Sequence, residues 1–116
     1  CGHDPAIVYT PATGEFAELK GNGVALGVED NWAFEYNEAA MPEEEQLICI
    51  ATDGAWEIEN SEKEQFGRGR LKQTLAAFAS EHPDRILKEL VAEISNFCGN
   101  KSPSDDITLV VVKIGC

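Results

Sequence analysis

Two aspartates, Asp53 and Asp105, stand beside the most strand-like segments of the chain. Asp53 follows the apolar run 46–51 and precedes Gly54, whereas Asp105 comes just before the run 107–114. If these runs form neighbouring antiparallel strands, the two carboxylates meet at one edge of the sheet. Carboxylate oxygens are ligands that Mg²⁺ and Mn²⁺ prefer, so the pattern indicates a hard-cation site. Each signal alone also fits a plainer role, because Asp-Gly is a turn signal and Asp-Asp often protects a strand edge.

Other catalytic chemistries find little support in the residue pattern. The chain has no Gly-x-Ser-x-Gly elbow, and neither Cys49 nor Cys98 has the sequence context of an activated thiol. His3 and His82 lie in turn-like sequence without the spacing of zinc ligands. The Gly-Arg-Gly segment at 67–69 lacks the Lys-Ser/Thr of a nucleotide-binding P-loop. A metal-activated water is therefore the better candidate nucleophile.

Two arginines, Arg68 and Arg70, lie at the start of a predicted helix. Their guanidinium groups have the charge needed to contact a substrate phosphate. Arginines in this position more often balance nearby surface carboxylates such as Glu62 and Glu64, and we favour that interpretation.

The elements that must position these residues follow from hydrophobic periodicity. Alternation with a period of two, bounded by turn residues, predicts strands, and the first two form a hairpin. From Gly67 the period approaches 3.6, which predicts a helix ending near Ser80. Pro83 and Asp84 then open a second helix that ends at Gly99. The predicted strands are 6–10, 16–19, 24–28, 32–36, 46–51 and 107–114.

This order of elements predicts an α+β fold in which two helices pack on a mainly antiparallel sheet. The centre of the last strand, 109–112, is apolar at four consecutive positions. Because both faces of that strand are apolar, we expect it in the interior of the sheet.

Composition limits the possible partners. The 116 residues suit one domain, 1–116, and 9 Lys and Arg against 21 Asp and Glu give a net charge of −12. This charge disfavours nucleic acid and anionic membrane surfaces, and no apolar run approaches the ~20 residues of a membrane span. The acidic run 43–45 is interpreted as a solvated loop. The four cysteines form no Cys-x-x-Cys pair, which favours a reduced, cytoplasmic location.

Five ordered segments give the chain a resemblance to a known family. They are Cys-Gly-His-Asp-Pro at 1–5, Leu-Gly-Val at 26–28, Thr-Asp-Gly at 52–54, Phe-Gly at 66–67 and Asp-Asp-Ile-Thr-Leu-Val at 105–110. In this order they resemble the C-terminal part of type 2C (PPM family) metal-dependent protein serine/threonine phosphatases, specifically the bacterial sporulation protein E-like subgroup. Together the segments cover nearly the whole chain.

The resemblance implies part of an α-β-β-α sandwich and a centre holding two Mn²⁺ or Mg²⁺ ions. Asp53 and Asp105 match metal-ligand aspartates of the family and would act in catalysis through a metal-activated water, without a covalent phosphoenzyme. Asp106 would be a neighbour that supports the ligand. The implied substrate is phosphoserine or phosphothreonine on a regulatory protein in bacterial signalling, for example an anti-sigma factor antagonist.

One family motif has no counterpart among these residues. The first metal motif, an Asp-x-Ser-Gly-His-Gly-like segment, belongs upstream of the Gly2-His3 equivalent, so the resemblance implies a partial domain whose N-terminal part is missing. Two carboxylates alone predict weak metal binding and a chain that is inactive by itself. The exposed edges and apolar faces of such a sheet predict self-association. The alternative hypothesis is a non-catalytic protein-interaction module or folding fragment.

Overall fold

The computed structural model describes residues 3–40, 42–103 and 105–115. Four strands and two helices follow the predicted order of strands, helices and a final strand. Their bounds are β1 Ala6–Thr10, β2 Glu15–Leu19, β3 Gln46–Ala51, α1 Gly67–Ala77, α2 Pro83–Cys98 and β4 Leu109–Ile114. A single 3₁₀ turn, Asp53–Ala55, follows β3 directly.

The four strands form one antiparallel sheet in the order β2-β1-β3-β4. The predicted hairpin joins β1 to β2, with the N–H groups of Thr13 and Gly14 donating to the Thr10 carbonyl at 3.2 and 2.9 Å. Gly14 has a φ of +70°, a conformation that glycine adopts without steric cost. Pairing of β3 with β4 is the longest ladder and runs from Gln46↔Ile114 to Ala51↔Leu109.

One face of the sheet packs against both helices and forms the core. Because side chains alternate along a strand, Ile7, Leu47 and Cys49 all point to this face, where each is 1% exposed. The helices contribute the following fully or nearly fully buried side chains: Leu71, Leu75, Ile86, Leu90 and Ile94. The predicted α+β fold with helices packed on a sheet is therefore confirmed.

Helix α2 begins and ends as its sequence predicts. The His82 ring accepts a hydrogen bond from the Asp84 N–H at 3.3 Å, and Pro83 occupies the first turn. Gly99 ends the helix with a φ of +59°. Helix α1 ends at Ala77, slightly before the expected Ser80, and residues 78–80 continue as a turn. Neither helix in the described ranges is long and apolar enough to cross a bilayer.

Two predicted strands, 24–28 and 32–36, are wrong. In the structure both segments are irregular, and their large side chains, such as Leu26, Val28 and Tyr36, are exposed. A strand needs a neighbouring backbone to satisfy its N–H and C=O groups, and no described strand lies beside either segment. Alternation of bulky and polar residues therefore did not suffice to define a strand here.

The predicted interior position of the last strand is also wrong. Among the described strands, β4 pairs with β3 alone and lies at an edge of the sheet. Both faces of β4 are apolar because the sheet carries apolar residues on both sides, and not because β4 lies in its interior. Leu109 and Val111 pack against the core, whereas Val110 and Val112 point the other way.

The side of the sheet opposite the helices, here called the outer face, is lined by apolar residues. Strand register places Val110 opposite Ile50, Val112 opposite Ile48, and Leu19 opposite Ala6 on this face. Leu19, Ile50, Val110 and Val112 are 46%, 40%, 45% and 38% exposed. The outer face is thus an accessible apolar surface of the described structure.

Adjacent residues of α2 provide a direct test of this layer assignment. Leu90 is fully buried between helix and sheet, whereas Val91 is half exposed. We expect Leu90→Ala to lower the free energy of unfolding by about 2–5 kcal/mol, because it removes buried methyl groups and leaves a cavity. Val91→Ala should change it by less than about 1 kcal/mol. Urea unfolding followed by circular dichroism measures both, and equal losses in the two variants would contradict the assignment.

Candidate metal centre

Asp53 lies where β3 leaves the sheet. The Thr52 N–H still donates to the Thr108 carbonyl on the β4 side at 3.1 Å, which extends the pairing by one residue. The Thr52 carbonyl then accepts the Ala55 N–H at 3.0 Å and closes the 3₁₀ turn. Asp53 begins this turn, and its carbonyl accepts from the N–H groups of Trp56 and Glu57 at 3.1 and 2.9 Å. The backbone around Asp53 is therefore held by short local hydrogen bonds, while the residue itself is exposed.

Asp105 lies in the segment that leads into β4. Its Oδ1 accepts a hydrogen bond from the Asp106 N–H at 2.8 Å, which orients the carboxylate. The Thr52 hydroxyl accepts the Thr108 N–H at 3.0 Å and lies 3.5 Å from the Asp106 carbonyl oxygen, to which it donates. Asp105 and Asp106 are both exposed. The segment 105–108 is thus held against the end of β3 mainly through Thr52.

Gly54 shows how closely the two aspartate segments approach. A Cβ placed on Gly54 would lie 2.4 Å from the Asp106 carbonyl oxygen and 3.7 Å from the Asp105 Cβ. Only a residue without a side chain fits this contact. The premise that the two strands are antiparallel neighbours, with Asp53 and Asp105 at the same edge, is therefore confirmed. Metal binding by these two aspartates stays a prediction.

The donor set suits a hard divalent cation. Two exposed carboxylates offer oxygen ligands, and Mg²⁺ commonly binds through one or two carboxylates while keeping several waters. Within residues 3–40, 42–103 and 105–115, no group of three or more His, Cys, Asp or Glu side chains is arranged to hold a metal ion. Asp53 and Asp105 would therefore leave most coordination positions to water.

Arg68 and Arg70 are engaged in contacts that hold the fold together. Arg68 donates to the Glu18 carboxylate at 3.0 Å and to the Pro5 carbonyl at 3.3 Å, and its guanidinium lies 4.7 Å from the centre of the Trp56 ring. Arg70 lies 4.3 Å from the centre of the Phe97 ring. These contacts favour a structural role for both arginines over a contact with substrate phosphate. The expected partners Glu62 and Glu64 are wrong, because the described contacts are to Glu18 and to aromatic rings.

Glu18 is the acidic partner of this cluster. Burial alone would raise the pKa of its carboxyl, but the positive charges of Arg68, Lys20 and Lys72 outweigh that effect and lower the pKa overall. The carboxylate is thus kept charged by the cations around it, and it links β2 to the start of α1.

The thiols and histidines also have structural surroundings. Burial raises the pKa of the Cys49 thiol to about 11, so the group is neutral and unreactive near pH 7. The Cys98 thiol donates to the Ser95 carbonyl at 3.5 Å within the last turn of α2. His82 caps α2, and the His3 ring lies 2.8 Å from the Asp4 carbonyl oxygen. Each of these described groups therefore has a structural contact.

Sequence analysis missed the role of Thr52 in joining the two aspartate segments. A hydroxyl residue directly before Asp53 at a strand end is the available signal, but it becomes informative only once Thr108 is known to lie opposite. An apolar groove of about 630 Å³ between α2 and the segment leading to Asp105 also has no signal in the sequence. Its lining includes Ile58, Val91, Cys98, Pro103 and Ile107.

Comparisons with known proteins define the family of this chain. An antiparallel sheet with helices on one face and an aspartate pair at a strand end is what the resemblance implied. The model of the family described as "Stage II sporulation protein E (SpoIIE)" matches residues 1–115. The chain belongs to the stage II sporulation protein E family.

A curated relative supports the same membership. The chain is 34% identical over 114 residues to Protein IcfG of Synechocystis sp.. This match covers 96% of the chain but 17% of that protein, so the chain spans about a sixth of the length of this relative. No solved structure is a significant match.

The Gly54 contact predicts that an added methyl group destabilises the fold, and Gly69 provides a matched control. Gly54→Ala should lower the free energy of unfolding by about 1–3 kcal/mol, because the new methyl group must displace the Asp106 backbone. Gly69 lies inside α1 with no atom within 4 Å of an added Cβ. Gly69→Ala should therefore raise the free energy of unfolding by about 0.5–1 kcal/mol, because alanine has a higher helix propensity than glycine. Thermal unfolding measures the stability of both variants. A Gly54→Ala variant as stable as the wild type would disprove the close approach of Gly54 to the Asp106 backbone.

Proposed function

We propose that this chain is part of a type 2C-like metal-dependent protein serine/threonine phosphatase that acts in bacterial signalling. The observation that carries the proposal is the contact between the Thr52-Asp53-Gly54 turn and the Asp105-Asp106 segment across β3 and β4. Membership of the stage II sporulation protein E family supports it. The relative from Synechocystis supports the family assignment and adds nothing about substrate.

Asp53 and Asp105 are the proposed metal ligands and act in catalysis through the ion they hold. Bound Mn²⁺ or Mg²⁺ would lower the pKa of a coordinated water and neutralise charge on the phosphoryl oxygens of the substrate. Asp53 supplies its carboxylate from the 3₁₀ turn, and the Asp106 N–H keeps the Asp105 carboxylate in a fixed orientation. Support of the Asp105 ligand is thus the role proposed for Asp106, and it is the role that the family resemblance implies.

Metal binding by the 116 residues alone is proposed to be weak. The complete domain of this family would hold two ions, whereas the described residues offer two carboxylates at this edge. Fewer charged ligands give lower affinity for a divalent cation. We therefore propose that the isolated chain has little or no phosphatase activity.

The proposed substrate is phosphoserine or phosphothreonine on a regulatory protein, such as an anti-sigma factor antagonist. The net charge of −12 disfavours nucleic acid as a partner. A buried, reduced Cys49 and the free Cys98 fit a cytoplasmic location. The second candidate, a non-catalytic interaction module, is favoured by the paucity of carboxylates at the site and by the accessible outer face.

Metal binding and hydrolysis can be tested together in the 116-residue chain. We expect Asp53→Asn to weaken Mn²⁺ binding by about tenfold or more, because it removes a charged ligand. The matched control is Asp30→Asn, which changes an exposed aspartate in the irregular segment between β2 and β3. The electron paramagnetic resonance signal of free Mn²⁺ measures binding, and hydrolysis of an aryl phosphate, followed by the phenol it releases, measures activity.

The outcomes of this experiment separate the two candidates. Equal Mn²⁺ binding by the wild type and Asp53→Asn would rule out the proposed centre and favour the interaction module. Wild-type binding with background hydrolysis is the expected result. Hydrolysis that is lost in Asp53→Asn would support the metal centre and disprove the proposed inactivity of the isolated chain.

We also propose that the chain associates with itself through the outer face. Four of its apolar side chains are more than a third exposed, and burial of such area favours association. Equilibrium sedimentation should show a dimer or larger species for the wild type and a shift to monomer for Val110→Glu. Val91→Glu, which changes an exposed valine on α2, should associate like the wild type. A clean wild-type monomer at high concentration would refute this proposal.

A further inference from the structure

We propose that Thr52 is the positioning residue of the metal centre, and that its hydroxyl fixes the segment 105–108 relative to Asp53. The inference rests on the proposed function, because it concerns the separation of the two proposed ligands. It adds a residue that touches neither substrate nor metal but sets where both aspartates lie. The support comes from three hydrogen bonds at the point where the β3–β4 ladder ends.

The pairing at this point departs from an ordinary antiparallel ladder. In such a ladder, every second pair of facing residues exchanges both N–H···O=C bonds, and the Thr52 N–H places Thr52 and Thr108 at such a pair. The Thr52 N–H donates to the Thr108 carbonyl at 3.1 Å, which is one half of the exchange. The Thr52 carbonyl is occupied by the Ala55 N–H at 3.0 Å, since it closes the turn that presents Asp53. The Thr52 N–H thus binds the segment before β4, and the Thr52 carbonyl binds the turn.

The side chain supplies the missing half of the exchange. The Thr52 Oγ1 accepts the Thr108 N–H at 3.0 Å, in the place of a backbone carbonyl. The same hydroxyl donates to the Asp106 carbonyl at 3.5 Å, which is a long and weak contact. β3 can therefore turn away at Asp53 while Thr108 stays paired with the end of the strand.

The Thr52 hydroxyl, acting in place of a backbone carbonyl, couples the two proposed ligands. Asp53 follows Thr52 directly, and Asp105 is linked to the same hydroxyl through Asp106, whose N–H donates to Asp105 Oδ1 at 2.8 Å. Without the hydroxyl, the Thr108 N–H would lose its acceptor. The bond from the Thr52 N–H to the Thr108 carbonyl would then be the one described hydrogen bond between the segment 105–108 and the end of β3. The separation of the two carboxylates would then vary, and a divalent cation needs its ligands at fixed distances.

Three variants of the full chain test the inference. Thr52→Val keeps the shape of the side chain and removes the hydroxyl, whereas Thr52→Ser keeps the hydroxyl. Thr74→Val is the matched control, because the Thr74 hydroxyl donates to the Arg70 carbonyl at 3.0 Å inside α1 and lies on a different element from the centre. Mn²⁺ affinity is measured from the paramagnetic resonance of free Mn²⁺, and hydrogen exchange of the Thr108 amide is measured by NMR without metal.

Thr52→Val should weaken Mn²⁺ binding about tenfold, the size of effect usual for residues that orient metal ligands. It should also speed exchange of the Thr108 amide by more than it speeds exchange of core amides such as that of Leu47. Thr52→Ser should restore both properties toward wild-type values. Thr74→Val should change thermal stability but leave Mn²⁺ affinity unchanged.

Two results would overturn the inference. One is wild-type Mn²⁺ affinity and Thr108 exchange in Thr52→Val, and the other is a Thr52→Ser variant as impaired as Thr52→Val. A wild-type chain that binds no Mn²⁺ would refute the proposed function, and the exchange measurement would then decide the role of Thr52 alone. Faster Thr108 exchange in Thr52→Val but not in Thr52→Ser would still support the positioning role of Thr52. Equal Thr108 exchange in the wild type, Thr52→Val and Thr52→Ser would refute that role.

Discussion

Antiparallel pairing of β3 with β4 is the interaction on which the rest of the structure depends. The two strands are separated by 57 residues of sequence, yet they form the longest ladder of the sheet, from Gln46↔Ile114 to Ala51↔Leu109. Helices α1 and α2 lie between them in sequence and pack on the face where Leu47, Cys49 and Val111 meet. The helical layer stabilises the pairing, and the pairing in turn brings the Asp53 turn against the Asp105 segment.

The parts of the fold that the sequence predicts well are those fixed by local rules. Pro83 and Gly99 define the ends of α2, and the turn at Thr10–Gly14 defines the first hairpin. Each of the two aspartates lies beside a strongly apolar strand, so they meet if these strands are antiparallel neighbours. Pairing between consecutive segments with clear turn signals is readily inferred, whereas the pairing of β3 with β4 entered only as a condition and is established by the structure.

The parts that the sequence does not predict depend on partners distant along the chain. Residues 24–28 and 32–36 alternate as a strand does, but alternation reports only which side chains share a face and says nothing of a neighbouring backbone. The same limit explains the error for β4. Apolar residues on both of its faces, such as Val110 and Val111, indicate that both sides of the sheet are apolar, and they do not reveal how many strands lie beside it.

The candidate centre and the outer face share the same two strands, and this links binding to association. Ile50 and Val110 face each other on the outer face, one pair before Ala51↔Leu109, and Asp53 follows two residues after that pair. A polypeptide that covers Ile50 and Val110 would therefore end beside the exposed carboxylates of Asp53 and Asp105. If Asp53 and Asp105 hold an ion as proposed, oxygen atoms of such a surface would add to the coordination that the two carboxylates supply. Under that proposal, metal affinity and coverage of the outer face are coupled, because both act on the same end of the β3–β4 pair.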